Sequence, residues 1–320
     1  MKKLREFILV FILGLVAPLS LLFLADDGAG HSQNIVTTVE TTGVPESLVE
    51  VQVLTEDQAV VTMPLDEYVF RVVLREMPAD FEPEALKAQA VVVRTYTLRH
   101  MIKPKHDAAS VCTDSSCCQG YREATEYLCA GGSEKNLVKV KKAVEDTSGE
   151  ILTYAGKPID ATYFSCSGGM TEDAAAVWGE DVPYLKATTS PGEEKANHYI
   201  ETVRMSTLEF ADKLGITIKG PTHFTVGKIR YTAGGGVASM EICGQTFTGT
   251  QLRNKLGLRS TAFVIAVVGN NVTITTKGFG HRVGMSQYGA DAMAIAGADY
   301  TEILMHYYTG VDLTTIDAVY

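Results

Sequence analysis

The apolar positions between residues 65 and 77 recur with the period of a helix. Val69, Val72 and Val73 lie at the i, i+3 and i+4 spacing that forms one helix face. The next position on that face is Glu76, so a carboxylate stands where the pattern leads us to expect an aliphatic residue. A carboxylate on the inward face of a helix is a candidate for chemistry, because burial raises its pKa.

The flanking residues set the ends of this helix. Asp66 is a good N-cap, and Pro78 restricts the backbone of the residue before it, so the predicted helix runs from Glu67 to about Met77. Glu76 then lies in the last turn, where the negative end of the helix dipole is worth only ~0.3–1 kcal/mol. Partial burial raises the pKa further, as in a general acid that stays protonated near neutral pH. A structural ion pair with a nearby arginine is the alternative interpretation.

A second helix is predicted directly after the first, with Pro83 at its first position. Residues 85–96 are apolar on nearly all sides, which is typical of a central buried helix. Gln89 and Arg94 are the exceptions, and buried polar groups need partners. Two interpretations stay open for this pair: they hold the core together, or they project into a cleft beside Glu76.

The rest of the chain alternates between strand-like and helix-like patterns. Hairpins mixed with separate helices indicate an α+β fold and not a parallel sheet. We expect two lobes around a central substrate cleft, with the second lobe drawn from residues 206–275. The predicted elements are hairpins over 48–63 and 151–164, helices over 134–146, 206–214, 250–256 and 300–308, a helix that starts near Ser286, and strands between 216 and 275.

The N-terminus carries an apolar segment that bears on where the protein acts. Residues 7–25 are uncharged and follow Lys2, Lys3 and Arg5, which gives the length of a membrane span with its cationic flank in the cytoplasm. A cleaved signal peptide is the alternative. The net charge of −10, with no basic run beyond the N-terminus, argues against a nucleic acid partner. We predict a cytoplasmic tail at 1–6, an uncleaved transmembrane anchor at 7–25, a linker at 26–45 and an extracytoplasmic region at 46–320.

The chain has six cysteines, and three of them follow His106 within one loop. This loop suits Zn²⁺, because that ion takes tetrahedral sets of nitrogen and sulfur. Neighbouring side chains diverge, so we expect only one of Cys117 and Cys118 to join Cys112 and His106, and spacing does not choose between them. The fourth ligand is left open as the other cysteine, water or a distant residue. Disulfides or free thiols are the alternative.

Other polar residues are candidates for lining a cleft. The loop at 165–169, SCSGG, lacks the arrangement of a nucleophile elbow. We expect its glycines to allow close approach of a ligand, with hydrogen bonds from Ser167 and Thr171. Trp178 is the single tryptophan, and we expect it to be buried for structural reasons, with stacking on a sugar as the alternative. The C-terminal candidates, which equally suit polar groups that cap a helix, are His281, Ser286, Gln287 and Tyr288.

Three stretches of the sequence resemble the stage II sporulation protein D family of bacterial lytic transglycosylases. The first lies between residues 65 and 96 and follows the pattern EYVxxVVxxEMPxxFxxEALKAQAVxxRTY. The others are YFSCSGGMTED and GHRVGMSQYGADAMAIAGADYTEILMHYYTG, in the order that the family has them. The resemblance covers residues 46–312.

This resemblance implies site residues. It makes Glu76 the catalytic acid and matches Gln89 and Arg94 to residues of the helix that follows. Some members of the family carry a zinc loop whose pattern matches His106, Cys112 and Cys118. We expect a structural role for the Zn²⁺, because the carboxylate explains the reaction without a metal.

The resemblance also implies a reaction and partners. The acid would protonate the glycosidic oxygen that leaves N-acetylmuramic acid, through an oxocarbenium-like transition state. Attack by the 6-hydroxyl of the same sugar would leave a 1,6-anhydro end. The substrate would be peptidoglycan glycan strands stripped of stem peptides, during engulfment of the forespore, beside an amidase and a membrane protein. A zinc-dependent cell-wall hydrolase and a non-catalytic glycan-binding scaffold are the competing hypotheses.

Overall fold

The computed structural model of this chain describes residues 49–197 and 199–319. The predicted tail, anchor and linker lie outside the described residues, and within the described ranges no helix is long and apolar enough to cross a membrane. The helices found there are α1 (Leu65–Glu76), α2 (Pro83–Ile102), α3 (Ala124–Cys129), α4 (Glu134–Asp146), α5 (Ala174–Trp178), α6 (Thr207–Leu214), α7 (Gly249–Leu256), α8 (Gln287–Ile295) and α9 (Tyr300–Tyr307).

The strands form several small sheets of two or three strands, most of them antiparallel. Together with the separate helices they confirm the α+β prediction. The described strands are β1 (Glu50–Leu54), β2 (Val60–Pro64), β3 (Val111–Cys112), β4 (Glu150–Tyr154), β5 (Lys157–Pro158), β6 (Tyr163–Phe164), β7 (Ile200–Ser206), β8 (Val226–Tyr231), β9 (Val237–Ile242), β10 (Gln245–Thr248), β11 (Phe263–Val268), β12 (Asn271–Lys277), β13 (Met285–Ser286) and β14 (Asp312–Thr315).

Helices α1 and α2 form the centre of the main core. α1 ends at Glu76 because Met77, which precedes a proline, takes an extended conformation with φ −116° and ψ 139°. α2 begins with Pro83, as predicted, and its middle is buried on all sides. The prediction that Asp66 caps α1 is wrong, because its carboxylate lies inside the first turn and accepts a hydrogen bond from Arg94 Nε at 3.0 Å.

Arg94 and Gln89 lie inside this core. Both are fully buried, and neither belongs to the residues that line the cleft described below. The Arg94 guanidinium pairs with Asp66 and donates to the carbonyl oxygens of Val144 and Glu150. These contacts join α1, α2, α4 and the start of β4, so Arg94 holds the core together and does not reach the cleft.

The predicted hairpin over 151–164 is shorter than expected. β4 pairs with β5 over two residues only, since Pro158 cannot donate to the ladder. β6 leaves this sheet and pairs in parallel with β13, where Tyr163 lies opposite Met285. That pairing brings the C-terminal polar residues beside β6, which places them at the cleft.

A second hydrophobic core draws all its members from residues 203–274. It is built from two three-stranded sheets, β10-β9-β8 and β11-β12-β7, packed with α6 and α7. A buried ion pair of the rest of the described chain, in which Arg282 Nη1 lies 3.0 Å from Glu172 Oε1, contacts this core through hydrogen bonds. The same oxygen accepts hydrogen bonds from Thr232 and Gly236, in the turn between β8 and β9.

Candidate active site

A cleft of about 1040 Å³ opens beside the end of α1. Its walls come from the Cys117–Gln119 loop, from residues 161–165 and from the C-terminal block. Glu76 is the one carboxylate among the described residues that line it. The lining residues that matter for chemistry are Glu76, Tyr96, Gln119, Tyr163, Phe164, Trp178, His281, Gln287 and Tyr288.

The Glu76 carboxylate is held in place by a backbone amide. Gly120 N–H donates to Glu76 Oε1 at 2.9 Å, and a Cβ at position 120 would lie 3.1 Å from that oxygen, so the close approach suits glycine. Gln287 Nε2 donates to the Glu76 backbone carbonyl at 3.0 Å. Burial raises the pKa of Glu76, and the Gly120 hydrogen bond and the charge of Arg75 only partly offset this rise. The group is therefore suited to donate a proton at a pH where an exposed glutamate has lost its own.

The raised pKa predicts how stability depends on pH. Above the ordinary value of 4.5, folded Glu76 still holds a proton that the unfolded chain has released, so its contribution to stability is lost as pH rises through the folded pKa. Glu76→Gln carries no such proton and should unfold at a higher temperature than wild type above that pKa, with no difference in acid. Thermal unfolding at pH steps from about 3 to about 9 measures this. A difference that does not change with pH would contradict it.

The hydroxyl of Tyr163 also lies near Glu76, and the sequence did not predict this residue as part of the site. Tyr163 lines the cleft, and its phenol oxygen accepts from Gln119 Nε2 at 3.3 Å. Burial, with the nearby charge of Glu76, raises the pKa of Tyr163 far above its ordinary value, so the phenol stays protonated. Gln119 Oε1 also accepts a hydrogen bond from the Thr97 hydroxyl of α2, and this contact fixes the Gln119 side chain to the core. Two signals in the sequence point to these residues: Tyr163 opens the YFSCSGGMTED stretch, and Gln119 follows the last cysteine of the metal loop.

His106 and three cysteines converge on one point at the side of this cleft. Their donor atoms all lie within 4.8 Å of one another. His106 Nε2 lies 3.3 Å from Cys118 Sγ and 3.8 Å from Cys117 Sγ, and the two sulfurs are 3.9 Å apart. Tetrahedral Zn²⁺ with ordinary bond lengths would separate such donors by about 3.5–3.8 Å. The donor set and its spacing therefore fit a metal ion.

Cys117 belongs to this cluster, contrary to the expectation that only one of the adjacent cysteines would face it. The backbone turns at this point, because the amides of Cys117 and Cys118 both donate to the Asp114 carbonyl. Burial, together with Cys112, raises the pKa of the Cys118 thiol to about 12. A bound metal ion would stabilise the thiolate form of Cys118, which is the form that ligates metals.

The cluster of His106 and three cysteines is connected to the main core through Cys112 and to Glu76 through Gly120. Cys112 lies in β3, which pairs with β1 in the main core. Two residues after Cys118 comes Gly120, the glycine that donates to the carboxylate. An ion bound by this cluster would thus fix the loop that presents Gly120 to Glu76.

The glycine-rich loop at 165–169 surrounds a carboxylate of this chain and not a ligand. Glu193 Oε2 accepts from the Ser167 hydroxyl at 2.7 Å and from the Gly168 amide at 2.8 Å. Thr171 is fully buried, and its Oγ1 accepts from the Thr188 amide at 2.8 Å. Ser167 and Thr171 are not among the described residues that line the cleft, so these hydroxyls stabilise the loop instead.

The C-terminal candidates divide between the two roles that the sequence left open. Ser286 is fully buried, and its Oγ accepts from the Gly289 amide at 3.2 Å, so it caps α8. It also donates to Glu193 Oε1. His281, Gln287 and Tyr288 line the cleft.

Trp178 lines the cleft as well, and the expectation that it is buried is wrong. It is 47% exposed at the end of α5, a helix of five residues. Gly179, with φ +80°, ends that helix and turns the chain away. The indole therefore lies at the surface, in the lining of the cleft.

Comparison with known proteins identifies the family of this chain. Residues 55–154 match the family described as "SpoIID: Stage II sporulation protein". The stage II sporulation protein D of Bacillus amyloliquefaciens is 43% identical over 328 residues, which cover 97% of this chain and 94% of that protein. That of Bacillus subtilis is 43% identical over 270 residues, 82% of this chain and 78% of that protein. An amidase enhancer of B. subtilis is 29% identical over 76% of this chain and 40% of its own length.

Proposed function

This chain belongs to the stage II sporulation protein D family, and from that premise we propose that it is a lytic transglycosylase of peptidoglycan. One observation carries the proposal: among the described lining residues the cleft holds a single carboxylate, Glu76, and burial raises its pKa. Hydrolysis of a glycoside ordinarily uses two carboxylates about 5–9.5 Å apart, the second as nucleophile or as base for water. A single acid suits a reaction in which the sugar supplies its own nucleophile.

The steps follow from one proton that leaves Glu76 and returns. Glu76 donates its proton to the glycosidic oxygen, the bond from that oxygen to C1 of N-acetylmuramic acid breaks, and positive charge develops on the ring. The 6-hydroxyl of the same sugar then attacks C1 and gives its proton back to the carboxylate. No water is consumed, and the product carries a 1,6-anhydro end.

The chain's own residues orient this acid. The Gly120 amide holds one oxygen of the Glu76 carboxylate at the lining of the cleft. Gln287 holds the backbone of Glu76, and Tyr163 offers a protonated phenol beside it. If a metal is bound, His106 and the three cysteines hold it, and it supplies structural order to the loop. Four protein donors fill a tetrahedral shell, whereas catalytic zinc keeps an open position, so a zinc-dependent hydrolase is less well supported.

Mass spectrometry of the products from purified, peptide-free glycan strands tests the function. We expect ends that are one water lighter than hydrolysed ends. Hydrolysed reducing ends would favour the zinc-hydrolase hypothesis. Uncleaved strands that stay bound would favour a non-catalytic scaffold.

Partners and location are further parts of the proposal. Membership of a sporulation family, and a relative named as an amidase enhancer, support action beside an amidase that removes stem peptides. Intact cell-wall sacculi should then resist this protein until an amidase has acted on them, and equal cleavage without the amidase would contradict this. The uncharged residues 7–25 support an anchor that holds the catalytic part outside the cytoplasm. N-terminal sequencing that found a mature start near residue 26 would reject the anchor.

A further inference from the structure

The wall of the cleft that carries Trp178 consists of three aromatic rings in a row. The centroids of Trp178 and His281 are 5.4 Å apart, and those of His281 and Phe164 are 5.6 Å apart. All three residues line the same cleft as Glu76. Trp178 is the widely exposed ring of the three, whereas Phe164 is buried beneath His281 at 5% exposure, so the indole is the face that a ligand meets and the other two rings support it. An exposed tryptophan that is supported by packed rings inside a cleft points to a ligand.

This wall is rigid and uncharged. The His281 ring is fixed, because its Nδ1 accepts a hydrogen bond from the Val283 amide at 3.1 Å. Burial, with a smaller effect from the charge of Arg253, lowers the pKa of His281 to about 4. The imidazole is therefore neutral at neutral pH and extends the apolar surface of the indole. The N-terminal end of α5 is also held in place, because the Asp173 carboxylate accepts a hydrogen bond from the Ala187 amide at 2.9 Å.

The chemistry of the lining limits the class of ligand. The described lining residues include no lysine or arginine, so the cleft offers a phosphate or carboxylate no ion pair. It offers flat apolar rings together with the amides and hydroxyls of Ser165, Asn197 and Gln287. A pyranose ring matches this combination, since it presents C–H groups on its face and hydroxyl groups at its edge.

We infer that Trp178, backed by His281 and Phe164, forms a sugar-binding platform for a neutral N-acetylglucosamine unit of the glycan. This rests on the proposed function, and it specifies which of the two alternating sugars the wall takes. N-acetylglucosamine has no carboxylate, whereas the lactyl carboxylate of an N-acetylmuramic acid stacked on this wall would meet no cation. The unit whose C1 faces Glu76 must therefore direct its own lactyl group to solvent. The platform is a binding device and takes no part in proton transfer.

The test uses the full chain carrying Glu76→Gln, so that bound sugar is not cleaved, and chitotetraose as the probe. Trp178 is the single tryptophan, so a blue shift of intrinsic fluorescence on titration reports on this residue alone. By calorimetry, Trp178→Ala in the same background should bind chitotetraose about tenfold more weakly, and Trp178→Phe should retain most of the affinity. Tyr231→Ala is the matched control, because Tyr231 is 55% exposed and is not among the described residues that line the cleft. The affinity of this variant for chitotetraose should equal that of the parent chain.

Two results would overturn the inference: equal affinity in Trp178→Ala, or no binding of chitotetraose to the Glu76→Gln chain. Neither decides the proposed function, which the anhydro products of the wild-type chain report separately. With Glu76 intact, Trp178→Ala should lower kcat/KM on glycan strands and leave unchanged the pH at which activity declines. A shift of that pH would assign Trp178 to the tuning of the acid instead.

Discussion

Glu76→Gln should lower turnover on peptide-free glycan strands by ~10²–10⁴-fold, which is the usual contribution of a general acid. Glutamine keeps the size of the side chain and can still accept from the Gly120 amide, but it has no proton to transfer. The fold should survive, because an isosteric change leaves no cavity. The rate of release of anhydro ends, measured by mass spectrometry, gives the comparison.

The matched control for this variant is Glu67→Gln, on the same helix. Glu67 pairs with Arg71 at 2.9 Å in a partly exposed ion pair, so its loss should cost at most ~1 kcal/mol. Its turnover should equal that of wild type. Near-normal turnover in Glu76→Gln would remove Glu76 from the mechanism.

Substitutions that abolish metal binding should lower the free energy of unfolding more than any other single substitution described above. Cys112→Ser, Cys117→Ser and Cys118→Ser should each abolish stoichiometric zinc, because all three sulfurs belong to the cluster. Structural zinc supplies ~10–16 kcal/mol in small zinc-binding peptides, enough to order a loop with little apolar content. Activity should fall together with the metal, because the same loop presents Gly120 to the catalytic acid.

Elemental analysis of protein purified without chelator, with thermal unfolding of each variant, measures this. Cys129→Ser is the control, since Cys129 is exposed and lies outside the cluster. Metal-free wild-type protein, or a mapped disulfide between Cys112 and Cys118, would rule the site out. Full metal content in Cys117→Ser would remove that residue alone from the ligand set.

The sequence predicted well those features that depend on local patterns. The C-terminal end of α1 follows from Pro78. The start of α4 follows from Ser133, whose hydroxyl accepts from the Asn136 amide. The inward position of Glu76 follows from the period of one helix face. The crowding of His106 with cysteines follows from spacing along a single loop. Each of these is decided by residues close together in the chain.

The features that the sequence missed depend on long-range contacts. Glu193 stabilises the glycine-rich loop from 26 residues away, and no pattern near Ser167 in the sequence predicts this partner. Arg282 reaches Glu172 across 110 residues. For the same reason the sequence leaves two roles open for Arg94, because its position in the core is set by Asp66, 28 residues away. Such partners become visible only when the chain has folded.

The segment that forms the second core begins and ends at one place. Ile200 and Lys277 are paired residues of neighbouring strands, so the chain leaves and returns within about 5 Å. Every described residue that lines the cleft lies outside 200–277. The segment is therefore an exchangeable insertion. It can be shortened, replaced or closed by a tight turn without a change in the path of the chain through the catalytic part. Such an exchange must accommodate Glu172, whose partners in the 232–236 turn would be lost, and Arg282, which donates to the Gly234 carbonyl. It must also replace the Arg259 carbonyl, which accepts from the Gly280 amide.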